Sequence, residues 1–184
     1  MQSIKKISLA CCIALPIYVQ AQPEYSTVGV SVQAYPAGFI ITGTFNQSIN
    51  QRSSLLYRAG VNIADRKDFS PFNNHESGTG VGGSFGYIRQ FYLTHGYLMA
   101  GIHTDVWNMW INWQNNNARG TSYTLVFQPW VEFGYVYPIP KKRVEIGIST
   151  GFGREINVIT KGNKVGEGWM NSLLLHARWK LHKR

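Results

Sequence analysis

Residues 169–181 read WMNSLLLHARWKL, with one tryptophan at the start and another near the end. On an extended strand, alternate side chains point to opposite faces. About ten residues at ~3.3 Å each, tilted by ~40°, rise about 25 Å, which is the height of the apolar band of a transmembrane β-barrel. One face of this stretch carries Trp169, Asn171, Leu173, Leu175, Ala177 and Trp179, and the other carries Met170, Ser172, Leu174, His176 and Arg178. The stretch predicts a membrane-crossing strand with an aromatic residue at each interface.

The same period-two alternation recurs eight times along the chain, and no helical period survives after the first two dozen residues. It predicts an all-β fold, an eight-stranded antiparallel up-and-down transmembrane β-barrel. The predicted strands span residues 26–35, 39–47, 52–63, 79–90, 95–107, 121–137, 142–153 and 168–181.

The composition favours a barrel in lipid over a soluble, lipocalin-like one. Charged residues are only 15% of the chain and aromatic residues 14%, whereas a soluble domain carries about 25% charge. The second face of the strands is rich in Gly, Ser and Thr, which suits a narrow lumen better than a solvated exterior. The net charge of +9 is concentrated in the leader, the turns and the tail, with no basic stripe, so nucleic acid is not an expected partner.

The first 21 residues have the pattern of a secretory signal. Lys5 and Lys6 precede an apolar run over 7–17, and Val19-Gln20-Ala21 fits a small-x-small cleavage site. We expect cleavage after Ala21, which leaves residues 22–184 as one barrel domain. Both cysteines lie in the signal, so disulfides and thiol chemistry are not expected in the mature chain.

The connections between predicted strands alternate in length. Short links are expected at 48–51, 91–94 and 138–141, and long ones at 64–78, 108–120 and 154–167. The first link, around Pro36 and Ala37, is the exception because it is tight. Outer-membrane barrels have short periplasmic turns and long external loops, so both termini are expected in the periplasm.

With these features the chain resembles the small, porin-like outer-membrane β-barrel proteins of Gram-negative bacteria, over essentially residues 22–181. The resemblance rests on the export signal, the eight amphipathic strands and the stretches 64–69 and 153–158. It implies a fold and an outer-membrane location, and it brings no catalytic motif. Such proteins commonly end on an aromatic residue that the barrel-assembly machinery reads, whereas here Trp179 and Leu181 are followed by His182-Lys183-Arg184.

Four charged residues fall on the predicted lumen face, Arg58, Glu132, Glu145 and Arg178. Buried ions are costly unless they are paired, so we expect a pair between Glu145 and Arg178 on neighbouring strands. A gate or proton path is one interpretation, and a polar plug that fills the lumen is the favoured one. His103, His176 and Lys180 are candidates to extend this network, and Tyr35, Gln128 and Trp130 to fill the lumen beside Arg58.

Aromatic residues mark the predicted membrane interfaces. The expected girdle consists of Tyr123, Tyr135, Tyr137, Trp169 and Trp179. The stretch 107–113, WNMWINW, admits two interpretations, a hairpin extension above the membrane with one face toward lipopolysaccharide or a partner, or a long strand with a heavy girdle.

The sequence contains candidate residues for a catalytic site and for a metal site. His103 and Asp105, placed near the external end of the fifth strand, could serve as base and orienter of a lipid A deacylase-like enzyme, with Ser122 as a candidate nucleophile. Asp65, Asp68, His75 and Glu76 share one predicted loop, but their spacing matches no metal motif. We therefore predict no catalytic site, no metal and no cofactor.

The resulting expectation is an integral outer-membrane barrel with a structural or surface-binding role and a lumen filled by side chains. The alternatives are a lipid-modifying enzyme and a small porin or channel. The expected partners are outer-membrane lipids, lipopolysaccharide and the barrel-assembly machinery, while no extracellular ligand can be named from the sequence.

Overall fold

The computed structural model describes residues 25–67 and 70–181, so the predicted signal at 1–21 lies outside the described residues. Eight strands follow one another, each antiparallel to the next, and β1 pairs with β8 to close the ring. The predicted eight-stranded antiparallel barrel is confirmed. The strands are β1 (Thr27–Tyr35), β2 (Gly38–Asn50), β3 (Ser53–Lys67), β4 (His75–Leu93), β5 (Gly96–Gln114), β6 (Arg119–Pro138), β7 (Val144–Lys161) and β8 (Gly168–Lys180).

Within the described ranges, no helix is both long and apolar enough to cross a membrane.

The two ends of the barrel differ in their connections. The turn end holds the links 51–52, 94–95 and 139–143 together with Tyr25 and Leu181, and the Leu181 amide donates to the Ser26 carbonyl over 2.8 Å. The loop end holds the links 36–37, 68–74, 115–118 and 162–167. At the 36–37 link, Gly38 has φ +142°, and a Cβ there would meet the Ile63 carbonyl oxygen. Glycine is therefore required for the tightest connection at the loop end.

The strands run further toward the loop end than the sequence predicts. Residues 64–67, 75–78, 108–114, 119–120 and 154–161 were expected in loops and are paired strand. The ladders continue because backbone pairing needs only a neighbouring strand, whereas the prediction stopped where the apolar-polar pattern changed. Consequently the wall is uneven, since β4, β5 and β6 have 19, 19 and 20 residues and β1 has 9.

The outward face of the strands is apolar around the ring. Leu175 is 57% exposed and Trp169 is 70% exposed. Exposed apolar side chains also lie on each of the other seven strands. An apolar belt of this extent is typical of a surface that faces lipid. Its members include Val30, Phe39, Ile41, Val61, Phe85, Ile102, Val106, Val131, Phe133, Ile146, Ile148, Phe152 and Leu173.

The outward face changes from apolar to polar at the loop-end residues of β3, β4, β5 and β6. We call residues 64–67, 75–78, 111–114 and 119–122 the upper zone, and the remainder of the strands the membrane zone. Outward side chains of the upper zone are all polar, namely Asp65, Lys67, His75, Ser77, Asn112, Gln114, Arg119 and Thr121. The apolar belt therefore ends at the row formed by Ile63, Thr79, Trp110 and Tyr123.

Candidate functional site in the barrel lumen

The lumen contains two apolar layers with a polar layer between them. Leu56, Ile88, Tyr97, Met99 and Val136 form a buried cluster near the turn end. A second cluster near the loop end consists of Tyr35, Ala37, Ile40, Ala64, Trp107, Met109, Ile111, Trp113, Val126 and Val165. Charged and polar side chains fill the middle and continue toward both ends, where Glu145 lies beside Tyr25 and Glu76 beside Arg66, so the candidate site is this lumen network.

Arg58 on β3 is the centre of the first half of the network. Its Nη2 lies 2.7 Å from Asp105 Oδ2, and its Nη1 donates to Gln33 Oε1 over 3.1 Å. Trp130 Nε1 donates to the other Asp105 oxygen over 2.7 Å, and the Arg58 guanidinium lies 4.9 Å from the Trp130 ring centroid. Asp105, a candidate catalytic orienter from the sequence, is thus the ionic partner of Arg58.

Glu132 on β6 is the centre of the second half. Its Oε2 lies 2.9 Å from His103 Nε2, and its Oε1 lies 3.1 Å from His176 Nε2. Ser149 also donates to Oε1. His103 stacks on Trp130 with ring centroids 4.3 Å apart, and a Cβ on Gly86 would overlap the His103 ring. Glycine on β4 therefore makes the space that the imidazole occupies.

Glu145 and Arg178 are direct neighbours in the register of β7 and β8, yet they do not form the expected ion pair. Glu145 instead accepts hydrogen bonds from Tyr25 and Tyr97 over 2.6 and 2.9 Å and lies 3.1 Å from Lys180 Nζ. Arg178 is 1% exposed, and none of its three guanidinium nitrogens has a hydrogen-bond partner among the described residues. Lys180, two residues further along the same face of β8, is the cation that contacts the carboxylate instead.

All four lumen charges named from the sequence are buried, but three of them belong to three separate sets and Arg178 joins none of these. Arg58 meets Asp105, Glu132 meets two histidines, and Glu145 meets Lys180 and two phenols. His103, His176 and Lys180 do join the network. The sequence signal for Asp105 was present, since it shares the strand face of His103, two residues away.

The residues proposed for lipid hydrolysis are not assembled. His103 and Asp105 lie in the middle of β5, not near its external end, because the strand continues to Gln114. Asp105 binds Arg58 and Trp130, while Ser122 donates to the Asn163 carbonyl at the loop end. In the register of β5 and β6, His103 faces Trp130 whereas Ser122 faces Ile111, so serine and histidine are far apart.

A different serine, Ser149, does contact a histidine and a carboxylate. Its Oγ lies 2.7 Å from His176 Nε2, and Glu132 contacts the same ring nitrogen at 3.1 Å. A hydrolytic triad needs the nucleophile and the carboxylate on opposite nitrogens of the imidazole, together with access for substrate. All three side chains are buried. The arrangement is therefore a structural hydrogen-bond set.

The loop 162–167 folds inward over the loop end. The Gly166 amide donates to Glu76 over 3.0 Å, and Asn73 Nδ2 donates to the Lys164 carbonyl over 3.0 Å. Arg66 contacts the Gly166 carbonyl and Glu155 and lies 3.4 Å from Glu76. Val165 is thereby held in the apolar cluster of the loop end. We call residues 162–167 the cap.

The girdle residues occupy both edges of the apolar belt. Trp169 stacks on Phe152 at 5.2 Å, with the Arg154 guanidinium 5.7 Å from its ring. Tyr123 lies beside Trp110 and donates to Asn108 over 2.7 Å. Tyr135, Tyr137 and Trp179 face outward near the turn end, where Tyr135 donates to the His95 carbonyl.

The stretch 107–113 is paired strand, and most of its large side chains face inward. Trp107, Met109, Ile111 and Trp113 are buried in the loop-end cluster. Trp110 alone among its tryptophans faces outward. The long strand of both interpretations is confirmed, but only one tryptophan joins the girdle and the other two form an internal core.

The charged residues near the 68–74 loop do not converge on one point. Asp65 and His75 face outward, with His75 Nε2 2.8 Å from Asp65 Oδ1, while Glu76 faces inward. Asp68 lies outside the described residues. Among the described residues, no group of three or more His, Cys, Asp or Glu side chains is arranged to hold a metal.

Two pKa shifts occur at the barrel ends. Hydrogen bonding from His75 lowers the pKa of the exposed Asp65 carboxyl, and the charge of Lys67 acts in the same direction. Burial raises the pKa of the Tyr25 phenol, and the Glu145 carboxylate raises it further. Asp65 is therefore ionised and Tyr25 neutral near pH 7.

No protein-family model and no curated protein matches the chain. Among solved structures, the chain is similar to Neisserial surface protein A, with 12% identity and a TM-score of 0.52 over 85% of this chain and 96% of that one. It is also similar to the N-terminal β-barrel domain of OprF from Pseudomonas aeruginosa, with 13% identity and a TM-score of 0.48 over 85% and 98% of the two chains. The likeness to Neisserial surface protein A concerns the fold alone, an eight-stranded antiparallel transmembrane barrel.

Proposed function

We propose that this protein is an integral outer-membrane barrel with a structural or surface-binding role. Its apolar belt, polar upper zone and predicted export signal support that location. Lipids of the outer membrane, including lipopolysaccharide, are then its immediate neighbours. The barrel-assembly machinery is its expected partner during insertion.

The observation that carries the proposal is the burial of side chains along the whole lumen. Arg178, Glu132, Gln128 and Trp107 are each less than 2% exposed and lie at successive levels between the two ends. Eight strands leave an interior only wide enough for side chains. A cavity beside Glu145 at the turn end measures about 20 Å³, which accommodates about one water molecule. The lumen is accordingly proposed to be closed to solutes.

Planar-bilayer recording of the purified protein tests this closure. We expect no stable open state, and a sustained nanosiemens-scale conductance would contradict the proposal in favour of a small porin. A variant with Trp107→Ala and Trp130→Ala removes two large side chains from the lumen and serves as the positive control. It should conduct measurably if channels of this barrel can be recorded at all.

The alternative of a lipid-modifying enzyme has less support. It needs a nucleophile beside His103, and the nearest polar groups to that imidazole are Glu132 and Trp130. Mass spectrometry of lipid A from cells with and without the gene provides the test, and we expect identical acyl patterns. An acyl chain lost only when the gene is present, and retained with His103→Ala, would establish the enzyme instead.

A further inference from the structure

A groove of about 540 Å³ runs along the outer wall of β3, β4 and β5 at the end of the apolar belt. It exists because β4 carries small outward side chains there, Ser77 and Thr79, between longer ones on both neighbours. The register places Ile63 and Trp110 on either side of Thr79, and Asp65 and Asn112 on either side of Ser77. The groove is shallow and open along the wall, so a ligand lying in it would keep one side toward its surroundings.

The lower half of the groove is apolar and continues into the lipid-facing surface. Ile63 is 42% exposed and Trp110 is 49% exposed. Tyr123 flanks Trp110, with ring centroids 5.9 Å apart and planes inclined by 57°, so the indole is braced while one face remains open. Below this row, Val61 and Val81 extend the apolar surface along the same strands.

The upper half of the groove presents hydrogen-bonding groups and little net charge. Asp65, Ser77 and Asn112 offer carboxylate, hydroxyl and amide groups, and Lys67 adds one cation beside Asp65. Asp65 contacts His75, yet both side chains remain substantially exposed, so their remaining hydrogen-bonding capacity faces the groove. An open aromatic face next to such acceptors and donors suits a ligand with an apolar ring face and many hydroxyls.

We propose that this groove binds the phosphorylated sugar headgroup of a glycolipid in the outer leaflet. The assignment rests on the proposed outer-membrane location and specifies which lipid contact is selective. A sugar ring would pack on Trp110, its hydroxyls would bond to Asp65 and Asn112, and Lys67 would meet the phosphate. The acyl chains would lie on the apolar surface around Val61 and Val81. A phospholipid headgroup offers fewer hydroxyls and would form fewer hydrogen bonds with the polar half of the groove.

Native mass spectrometry of the detergent-solubilised protein tests the site, with short-core lipopolysaccharide as the probe. The test variant is Trp110→Ala with Asn112→Ala. The chain offers a matched control on the other side of the ring, Trp169→Ala with Asn171→Ala, which removes an outward Trp and Asn with the same spacing on β8. Heat-modifiable gel migration checks that each variant is folded.

We expect one tightly retained lipopolysaccharide on the wild type, about tenfold weaker retention on the test variant and unchanged retention on the control, because the stacking face and one hydrogen bond are lost. Equal losses in both variants, no loss in the test variant, or equal competition by phosphatidylglycerol would each overturn the glycolipid site. A wild-type protein absent from the outer-membrane fraction would instead overturn the proposed function, so the two failures are distinguishable.

Discussion

The membrane zone and the upper zone differ most in their outward side chains. In the membrane zone the outward residues are apolar, as at Ile102, and the inward ones include ions such as Asp105. In the upper zone the outward residues are polar, as at Asn112, while the inward ones combine apolar Ile111 with buried Glu76. β5 makes this change without a break in its backbone ladder.

The difference shows that the surrounding solvent, and not the strand, decides which side chains are buried. Lipid outside the membrane zone makes an apolar exterior favourable and leaves the lumen as the place for polar groups. Water around the upper zone permits a polar exterior there, and the inside of this region buries Ile111 and Trp113 together with Val165 of the cap. The chain thus forms a membrane barrel with a small apolar core at its loop end.

The largest expected effect comes from breaking the ion pair in the polar lumen of the membrane zone. Arg58→Met should destabilise the barrel by about 3–5 kcal/mol, because Asp105 is then buried without its cation. The double change with Asp105→Asn should recover much of the loss. Urea titrations of protein in lipid vesicles measure both effects. Independent, additive effects of the two single changes would show that the pair does not couple.

The second prediction compares the exteriors of the two zones. Leu175→Arg places a charge in the lipid-facing belt and should cost about 2–4 kcal/mol. Asn112→Arg, outward in the upper zone, should cost at most about 1 kcal/mol, because the side chain stays in water. The same titration measures both variants. Similar costs at the two positions would contradict the assigned boundary between the zones.

The third prediction removes one methylene group from the interior of the upper zone and, separately, one from the exterior of the membrane zone, and compares the two losses of stability. Ile111→Val in the upper core should cost about 0.5–1.5 kcal/mol, because the packed interior cannot fill the space. Ile102→Val in the belt should be nearly neutral, since mobile lipid occupies the vacated volume. The comparison fails if the two substitutions have the same effect on the free energy of unfolding.

The smallest effect concerns the exposed Asp65 and His75 pair of the upper zone. Because the pKa of Asp65 is lowered in the folded protein, its contribution to stability is present above its unfolded pKa and is lost as the pH falls through the folded value. A carboxyl-carbon NMR titration should give a pKa below the ordinary 3.8, and His75→Ala should raise it. An unchanged pKa in that variant would assign the shift to Lys67.

The strand order and the direction of the faces could be predicted from the sequence because alternation is strong in the membrane zone. Leu173, Leu175 and Trp179 of β8 all lie on the face expected for them. The upper zone was assigned to loops because its pattern inverts there, and Trp107, Met109, Ile111 and Trp113 then resemble an irregular apolar run. Alternation indicates two faces, but it does not indicate which solvent surrounds them.

The sequence predicts which residues face the lumen better than it predicts which of them form ion pairs. Arg58, Glu132, Glu145 and Arg178 were each placed on the correct face. Their pairing depends on side-chain reach across the ring, as when Arg58 on β3 contacts Asp105 on β5. Arg178 and Lys180 lie on one face of β8, and the sequence alone does not show which of them contacts Glu145. Their different positions along the lumen decide this. The cap was missed because Val165 stands alone among polar residues.

The pairing of the first strand, β1, with the last strand, β8, affects how the ring is completed. β1 joins β8 through residue pairs from Thr27 and Lys180 to Ala34 and Leu173, which are the most distant partners in the chain. Contacts of such large sequence separation form slowly, because the chain must lose much entropy before they are gained. Until they form, the edges of β1 and β8 expose unpaired amides and carbonyls, which hydrocarbon does not tolerate. We therefore expect insertion and seam closure to occur together, with the β1–β8 seam as the last ladder to form.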